Sequence, residues 1–363
     1  MTPDVTVVVP TRNRQSLLAA TLASVLGQRD VSVRVVVVDE ASSDATPAYL
    51  AALGDARVTT VRHDSPRGAA AARNSGVART QTRWVAFCDD DDLWAPDKLR
   101  AQLAALAGHD GSRWVACGSV LVDERLQVLD HQRAGQGGDV AGRLCLRNDI
   151  PGGGSGVLAD GDLVREAGGF REDEPNSEDW DLWVRLAQCS PLAVIDRPLV
   201  AYRIWSGSKS RSADRMIAAF DRITTRYADV AREHGVVPDV VGHRTFLAKQ
   251  LLRSGAGVPA ARLYLHLARV HGARSAWLRV PLAALAPHTL TRIGDRRALA
   301  RVPLQWRREA EGWLAGLDGG GRGRPLECDD CPSESAPWVA REGLKRARRG
   351  RATTCGGWQC EKQ

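Results

Sequence analysis

The 363-residue sequence has no uninterrupted apolar run approaching the ~18–20 residues of a membrane-spanning helix, so no ordinary transmembrane segment is expected. Near its start there is no basic stretch followed by an apolar one, which argues against a cleaved signal peptide. Eight cysteines are too few for a disulfide scaffold. The four in the body of the chain are expected to be buried small residues or free thiols in a reducing, cytoplasmic compartment: Cys88, Cys117, Cys145 and Cys189.

Several familiar motifs are also missing. There is no Gly-Lys-Ser/Thr phosphate loop and no His-Glu-x-x-His zinc motif. Residues 154–159 (GSGVLA) formally match a dinucleotide fingerprint, but no convincing strand precedes them, so this interpretation is disfavoured. The composition, 44% hydrophobic and 26% charged, is typical of a globular protein with a sizeable core. The net charge of +7 favours anionic partners such as nucleotides, phosphates or an acidic membrane surface.

What is present first is an alternation of apolar β-branched runs with helical patterns. The expected strands are 5–10, 31–38, 58–62 and 84–88, and the expected helices are 14–27, 46–53, 68–79 and 96–107. This order predicts an α/β fold with a mostly parallel sheet and helices on both faces. Ligands bind such sheets beyond the carboxyl ends of the strands, and Asp39 and Asp89–Asp92 fall at strand ends.

The remaining chain divides by pattern. Strands are expected at 113–122 and 192–204, around a Gly-rich loop at 151–156 and a helix beginning near Asp179. The pattern is helical from about 212 to 317. We therefore predict a sheet domain over 1–208, a helical region over 209–318 and a disordered Cys/Arg/Gly-rich tail over 319–363. Four tail cysteines leave a structural zinc site as the less favoured alternative: Cys328, Cys331, Cys355 and Cys360.

For two segments the sequence allows more than one binding partner. The Arg-rich stretch at 341–351 is consistent with contact to nucleic acid or anionic lipid, but a solvated basic helix is favoured, and no nucleic-acid partner is predicted. The apolar residues of the helical region are expected to form ordinary core. A membrane-surface element is the alternative for a set among Arg and Trp residues: Leu278, Val280, Leu282, Leu285 and Leu290.

The strongest chemical signal is the run Asp89-Asp90-Asp91-Asp92 directly after a buried strand. Four successive carboxylates repel one another unless a cation or other donors neutralise them. Mg²⁺ or Mn²⁺ suits such a site, bound by one or two carboxylates together with substrate phosphates. A solvated acidic turn is the disfavoured alternative.

Three further residues are candidates for the same cleft. Asp179 falls in the first turn of a predicted helix, where it is either a general base or a helix-capping residue. Asp39 is able to bind a base or ribose, or to cap the next helix. Arg73 offers a fixed cation for an anion or carboxylate, with a surface helical arginine as the alternative.

Taken together, these motifs resemble glycosyltransferase family 2, whose domain has the GT-A fold. The resemblance covers about residues 3–205 and rests on five motifs in register. They are Val8-Val9-Pro10-Thr11-Arg12-Asn13, Val37-Val38-Asp39-Glu40-Ala41-Ser42-Ser43-Asp44, Ala72-Arg73-Asn74-Ser75-Gly76, Phe87-Cys88-Asp89-Asp90-Asp91-Asp92-Leu93-Trp94, and Gly168-Gly169-Phe170 followed by Glu178-Asp179-Trp180-Asp181-Leu182.

The resemblance implies roles for individual residues. Asp179 would be the general base. Asp89 and Asp91 would occupy the family's Asp-x-Asp motif, with Asp91 as metal ligand and Asp92 next to it. The residues implied to bind the nucleotide-sugar are Pro10, Thr11, Arg12, Asp39, Arg73, Asp89 and Asp90. Three positions depart from the family pattern: Glu40 replaces a usual Asp, Ala41 a common Gly, and Asp90 a small polar residue.

By this resemblance the protein is expected to be an inverting, metal-assisted glycosyltransferase using a nucleotide-diphosphate sugar, most often a UDP-sugar. The acceptor would be a glycan or lipid-linked hydroxyl in cell-surface polysaccharide or glycolipid synthesis. Location in the cytoplasm, at the inner face of the cell membrane, is part of this hypothesis. The alternatives are a sugar-phosphate nucleotidyltransferase and a catalytically inactive sugar-nucleotide-binding scaffold.

Overall fold

A computed structural model describes residues 4–205 and 213–317 of the chain. The strands are β1 (Val5–Thr11), β2 (Val33–Asp39), β3 (Val58–Arg62), β4 (Trp84–Phe87), β5 (Leu93–Trp94), β6 (Trp114–Val122), β7 (Val128–Gln132), β8 (Val157–Asp160) and β9 (Leu192–Arg203). The helices are α1 (Gln15–Leu26), α2 (Thr46–Ala52), α3 (Ala69–Val77), α4 (Lys98–Ala107), α5 (Ala141–Leu146), α6 (Gly161–Glu166), α7 (Glu178–Cys189), α8 (Ala213–Arg226), α9 (Ala228–Glu233), α10 (Val240–Arg253), α11 (Gly257–Val270), α12 (Arg274–Leu285), α13 (Pro287–Leu299) and α14 (Leu304–Leu317).

The strands form one sheet in the order β3-β2-β1-β4-β8-β6-β9-β5, with β7 paired to β6. The α/β fold and the helical region after it are confirmed, and the first four strands pair in parallel as expected. The second half differs from the expectation, because β8 runs antiparallel to both β4 and β6. The sheet is therefore mixed. The short strands β5, β7 and β8 were not predicted from the sequence.

Alternation along β1 explains why the sheet is covered on both faces. Every residue of β1 is buried. Val7 and Val9 pack in one apolar cluster with residues of α1 and α4, whereas Val8 packs in the opposite cluster with residues of α3 and α7. A strand buried on both sides must be apolar at every position, which is what the valine run supplies.

The helical region does not stand apart from the sheet. Trp306 of α14 lies so close to Gly118 of β6 that a β-carbon there would be 2.2 Å from its ring. Trp313 donates a hydrogen bond to the carbonyl oxygen of Pro198 at 3.1 Å, and Arg197 pairs with Glu309 at 2.7 Å. The division at residue 208 stays a prediction, but α14 is packed on the sheet.

Other expectations meet mixed outcomes. Cys88, Cys117 and Cys145 are buried free thiols, and Cys189 is exposed.

In the helical region Leu247, Leu251 and Leu267 are core, but Phe246, Leu278, Leu282 and Leu285 are exposed, so the core prediction is wrong for these four. None of the helices among residues 4–205 and 213–317 is long and apolar enough to cross a membrane. The predicted linker, tail and zinc cysteines lie outside the described residues.

Gly76 marks the closest approach between α3 and β1. A β-carbon at Gly76 would lie 2.2 Å from Cγ1 of Val8, far inside van der Waals contact. Gly76→Ala should therefore lower the free energy of unfolding by about 1–3 kcal/mol through overpacking, measured by chemical denaturation.

Gly312 provides the matched control, since it is also helical but an added β-carbon would meet nothing within 4 Å. Gly312→Ala should raise the free energy of unfolding by about 0.5–1 kcal/mol, because alanine favours the helix. Equal effects of the two substitutions would contradict the packing argument.

Candidate functional site

The carboxyl ends of β1, β2 and β4 lie side by side and carry the predicted site residues. Thr11 and Asp39 are register partners at the ends of β1 and β2. The backbone N–H of Cys88 donates to the carbonyl oxygen of Val8 at 3.0 Å, so the acidic run leaves the sheet beside β1. The predicted edge of the sheet is thus where the motifs meet.

Two members of the acidic run point into the protein. Asp90 accepts hydrogen bonds from Oγ1 of Thr11 and from Arg14, both at 2.7 Å. Asp92 is fully buried, and its two oxygens accept from Oγ of Ser155 at 2.6 Å and from the backbone N–H of Arg203 at 3.1 Å. Burial and the neighbouring acids raise the pKa of Asp92 well above its usual range.

The other two members keep access to the cleft. The side chain of Asp89 is 28% exposed and accepts from Arg73 at 2.6 Å. The side chain of Asp91 is 14% exposed and pairs with Arg14 at 3.2 Å and with Nε1 of Trp205 at 2.9 Å. Exposure thus alternates along the run, which forms a turn closed by a hydrogen bond from the backbone N–H of Asp92 to the carbonyl oxygen of Asp89 at 3.2 Å.

Crowding of like charges leaves this edge of the sheet electrostatically unfavourable. Burial, and then the neighbouring Asp90, raise the pKa of Asp91 to about 6, although Arg14 opposes the shift. A bound cation would favour the ionised carboxylates, and oxygen donors suit Mg²⁺ or Mn²⁺. Within the described residues no group of three or more His, Cys, Asp or Glu side chains could by itself hold a metal. An ion at this edge would therefore need oxygens from a bound ligand in addition to one or two carboxylates.

Arg73 is the cation that joins α3, β4 and α7. It is buried and donates to Asp89 at 2.6 Å and to Glu178 at 2.7 Å. Burial lowers the pKa of Arg73, but the two carboxylates outweigh that effect and raise it above the ordinary value, so the group stays charged. Its guanidinium also lies 5.3 Å from the ring centroid of Phe170.

Asn74, the next residue, ties two of the sequence motifs together. Its side-chain oxygen accepts from the backbone N–H of Phe170, and its amide nitrogen donates to the carbonyl oxygen of Phe170, both at 2.8 Å. Gly169 passes so close that an added β-carbon would lie 2.7 Å from Oδ1 of Asn74, and its φ is +67°. The Arg-Asn-Ser-Gly and Gly-Gly-Phe motifs are therefore two halves of one contact.

Asp179 lies in the first turn of α7, partly buried beside the Gly-rich turn. A β-carbon added at Gly153 would be 3.3 Å from its Oδ2, while Oδ1 accepts from the backbone N–H of Trp180 at 2.7 Å. Burial, followed by the neighbouring Glu178, raises the pKa of Asp179 to about 7, and Arg73 acts in the opposite direction. One oxygen thus serves the helix and the other lies against the turn.

Asp39 is buried and holds a turn. One oxygen accepts from the backbone N–H of Ser42 at 2.9 Å, and the other pairs with Arg62. Ala41 has φ +54°, which accounts for the common glycine at this position, since glycine has no β-carbon penalty there. Asn13, with φ +52°, accepts from the backbone N–H of Ser43 at 2.7 Å and joins this turn to the loop after β1.

The two remaining predicted residues differ in placement. Pro10 is buried within β1 and pairs in register with Val38, so it contributes to the sheet. Arg12 is exposed in the loop after β1.

The sequence patterns did not predict several residues at this edge of the sheet. Arg14 and Trp205 contact the acidic run, with the guanidinium 5.1 Å from the Trp205 ring centroid. Tyr202, at the end of β9, has a pKa raised well above its usual range by burial and by the carboxylates of the run. Ser155 alone carried a signal, its place in the Gly-rich segment, since it donates to Asp92. The others lie far from the run in sequence or outside any motif.

Glu40 departs from the family pattern, and its contacts join the turn after β2 to α3. It pairs with Nδ1 of His63 and accepts from the backbone N–H groups of Arg67 at 2.7 Å and Gly68 at 2.5 Å. Nε2 of His63 lies 2.9 Å from Oγ of Ser75 in α3. These contacts fasten the turn after β2 to the start and middle of α3.

Comparison with known proteins matches the N-terminal part of the chain to a family model. Residues 6–134 match the model of glycosyl transferase family 2. The chain is 45% identical over 101 residues to the succinoglycan biosynthesis protein ExoO of Rhizobium meliloti, covering 28% of this chain and 29% of that one. It is 31% identical over 102 residues to the Escherichia coli UDP-Glc:alpha-D-GlcNAc-diphosphoundecaprenol beta-1,3-glucosyltransferase WfgD, covering 28% and 40%. The matches thus span less than half the length of these curated relatives.

A solved structure agrees on the fold. Residues 1–349 of S. aureus TarS, in complex with UDP-GlcNAc, superpose with a TM-score of 0.51 at 16% identity, covering 80% of this chain and 92% of that one. The likeness concerns the fold alone. The family model thus identifies residues 6–134, which hold four of the five motifs, as similar to glycosyl transferase family 2.

Proposed function

We propose that the chain is an inverting glycosyltransferase that moves a sugar from a nucleotide-diphosphate donor to an acceptor hydroxyl in polysaccharide synthesis. The observation that carries the proposal is the pairing of buried Arg73 with Asp89 of the acidic run and with Glu178, the neighbour of Asp179. The acidic run, which includes Asp91, would supply ligands for a metal-bound diphosphate. Asp179, whose pKa is raised to about 7, would supply the base.

The relatives support the class of donor and acceptor. WfgD is named as a UDP-Glc glucosyltransferase acting on a diphosphoundecaprenol-linked sugar, and ExoO as a succinoglycan biosynthesis protein. We therefore propose a UDP-sugar as donor and a glycan or lipid-linked sugar as acceptor.

Asp91 is the proposed metal ligand, with Asp89 beside it contacting the donor or its metal. Asp92 was predicted as a second ligand, but both its oxygens accept hydrogen bonds from Ser155 and Arg203, so we assign it to the support of the run. A divalent ion bound here would supply charge neutralisation of the leaving diphosphate. Arg73 would orient Asp89 through their hydrogen bond at 2.6 Å.

Asp179 is the proposed general base. Its Oδ2 would accept the proton of the acceptor hydroxyl, whose oxygen then bonds to the anomeric carbon as the bond to the diphosphate oxygen breaks. A single displacement with one base inverts the anomeric centre, the logic of inverting hydrolases with a hydroxyl in place of water. A base with a pKa near 7 is ionised often enough and basic enough to serve at neutral pH.

A thermal-shift experiment tests the donor site. UDP with Mn²⁺ or Mg²⁺ should raise the unfolding midpoint, since a ligand that binds only the folded state stabilises it, and the shift should vanish with EDTA. GDP, dTDP and CDP are the comparison nucleotides. Asp91→Asn should abolish the metal-dependent part, whereas Asp162→Asn, an exposed acid on α6, should retain it. A metal-independent shift of the same size in all variants contradicts the assignment.

Asp179→Asn should lower turnover by about 10²–10⁴-fold while donor binding in the thermal-shift assay persists, as loss of a general base predicts. The measurement is release of UDP from a UDP-sugar with an acceptor extract, with Asp162→Asn as control. Full turnover in Asp179→Asn would sink the base assignment. Absence of turnover in the wild type, together with normal nucleotide binding, would support the scaffold alternative instead.

The same substitution should have a pH-dependent effect on stability. Asp179 is protonated below about pH 7 in the fold and only below its ordinary value of 3.8 in the unfolded chain, so its contribution becomes less favourable as pH rises between these values. At pH 8 Asp179→Asn should therefore unfold at a higher temperature than wild type. At pH 5 the difference should be less than half as large, since it shrinks as pH falls toward 3.8. A larger difference at pH 5 than at pH 8 would contradict the assigned pKa.

A further inference from the structure

Helix α12 has two unlike faces. Ala276 and Ala283, seven residues apart, are buried in the apolar core of the helical region. Leu278 and Leu285, also seven residues apart, are 75% and 86% exposed, and Trp277 beside them is 49% exposed. Since seven residues make about two turns, each pair shares one face of the helix, and the apolar pair on the outer face has no cover within the described residues.

The segment that contains α11, α12 and α13 carries charge of almost one sign. Between residues 257 and 301 the sequence holds eight arginines and a single carboxylate, Asp295. That carboxylate is paired with Arg253 of α10 at 2.9 Å. Helix α13, which packs against α12, has no buried residue and exposes Arg292, Arg296 and Arg297. The exposed leucines therefore lie in an excess of positive charge.

We propose that the outer face of α12 and the arginines of α13, together the α12–α13 surface, dock the chain on an anionic lipid bilayer. A short helix with exposed Leu and Trp beside arginines suits the boundary between headgroups and acyl chains. With 12 residues, α12 is too short to cross a bilayer and suited to lie along it.

Other occupants fit the same features less well. A second copy of this chain would bring one arginine-rich face against another, which like-charge repulsion opposes. A nucleic acid would satisfy the arginines but leave Leu278 and Leu285 in water. A bilayer with anionic headgroups satisfies both the arginines and the leucines, and it does so whether or not the proposed transferase chemistry is correct.

Flotation of the purified full chain with lipid vesicles tests the proposal. The chain should float with vesicles of equal parts phosphatidylcholine and phosphatidylglycerol at low salt. It should not float with phosphatidylcholine alone, and high salt should weaken the binding. Failure to float with the anionic vesicles at low salt would overturn the proposal.

Matched double variants locate the surface. Leu278→Ser/Leu285→Ser should weaken vesicle binding by about 100-fold, from the lost transfer of two leucine side chains. The control Val237→Ser/Leu304→Ser changes two apolar residues that are 78% and 71% exposed elsewhere, and it should bind like wild type. Equal losses in both variants, or none in the first, would count against the α12–α13 surface.

A second pair of double variants tests the contribution of the arginines to vesicle binding. Arg296→Gln/Arg297→Gln should weaken binding by about 30-fold, since each basic residue near an anionic surface contributes about 1 kcal/mol. Arg307→Gln/Arg308→Gln, two exposed arginines of α14, keeps the same net charge as the first variant and should bind more tightly. Equal binding by the two charge variants would assign the attraction to net charge and contradict this location.

Folding and self-association are checked on the same samples. All four variants should retain the wild-type unfolding midpoint, because the substituted residues are exposed. Light scattering gives the oligomeric state. A wild-type dimer that Leu278→Ser/Leu285→Ser converts to a monomer, with vesicle binding unchanged, would assign the face to a second copy and overturn the proposal.

Discussion

The concentration of carboxylates at one end of a buried sheet is the constraint on which the rest of the site depends. Arg73 bridges Asp89 and Glu178, and Arg14 bridges Asp90 and Asp91. Each arginine therefore neutralises two acids and joins segments distant in the sequence. Even so, Asp91 and Asp179 keep raised pKa values. The fold holds these acids in a state that a cation or a proton improves, and such unfavourable ionisation is characteristic of sites that bind or react.

The acidic run shows how far the sequence predicts the site. Its place at the end of β4 followed from a strand pattern running straight into it. Which members face the cleft did not follow, because that depends on Ser155 and on Arg203, whose backbone binds Asp92. Ser155 lies 63 residues from Asp92 and Arg203 lies 111 away, and no local pattern encodes such contacts. Asp92 was accordingly predicted as a metal ligand.

As with the acidic run, the sequence predicted those parts of the fold that depend on local pattern and missed those that depend on distant strands. The parallel strands β1 and β2 are seven-residue runs rich in valine, and the shorter β4 is apolar throughout and leads directly into the acidic run, so the sequence pattern predicted all three. Strands β5 and β8 have two and four residues and exist because neighbouring strands offer them hydrogen bonds, which propensity does not reveal. The motifs predicted that their residues meet at one edge of the sheet. The two hydrogen bonds between the Asn74 side chain and the backbone of Phe170 give a physical reason why two of the motifs occur together.

Some apolar residues of the helical region are buried and others are exposed, and the sequence does not distinguish the two groups. Trp306 packs on Gly118 because the absence of a side chain there opens a slot in the sheet. Leu285 meets no such slot and remains in solvent, although both residues lie in arginine-rich helices. Burial is therefore decided by the partner surface, not by the helix that carries the residue. Single exposed apolar side chains are ordinary on a protein surface, but several on one helix face form the kind of patch that a partner or a membrane covers.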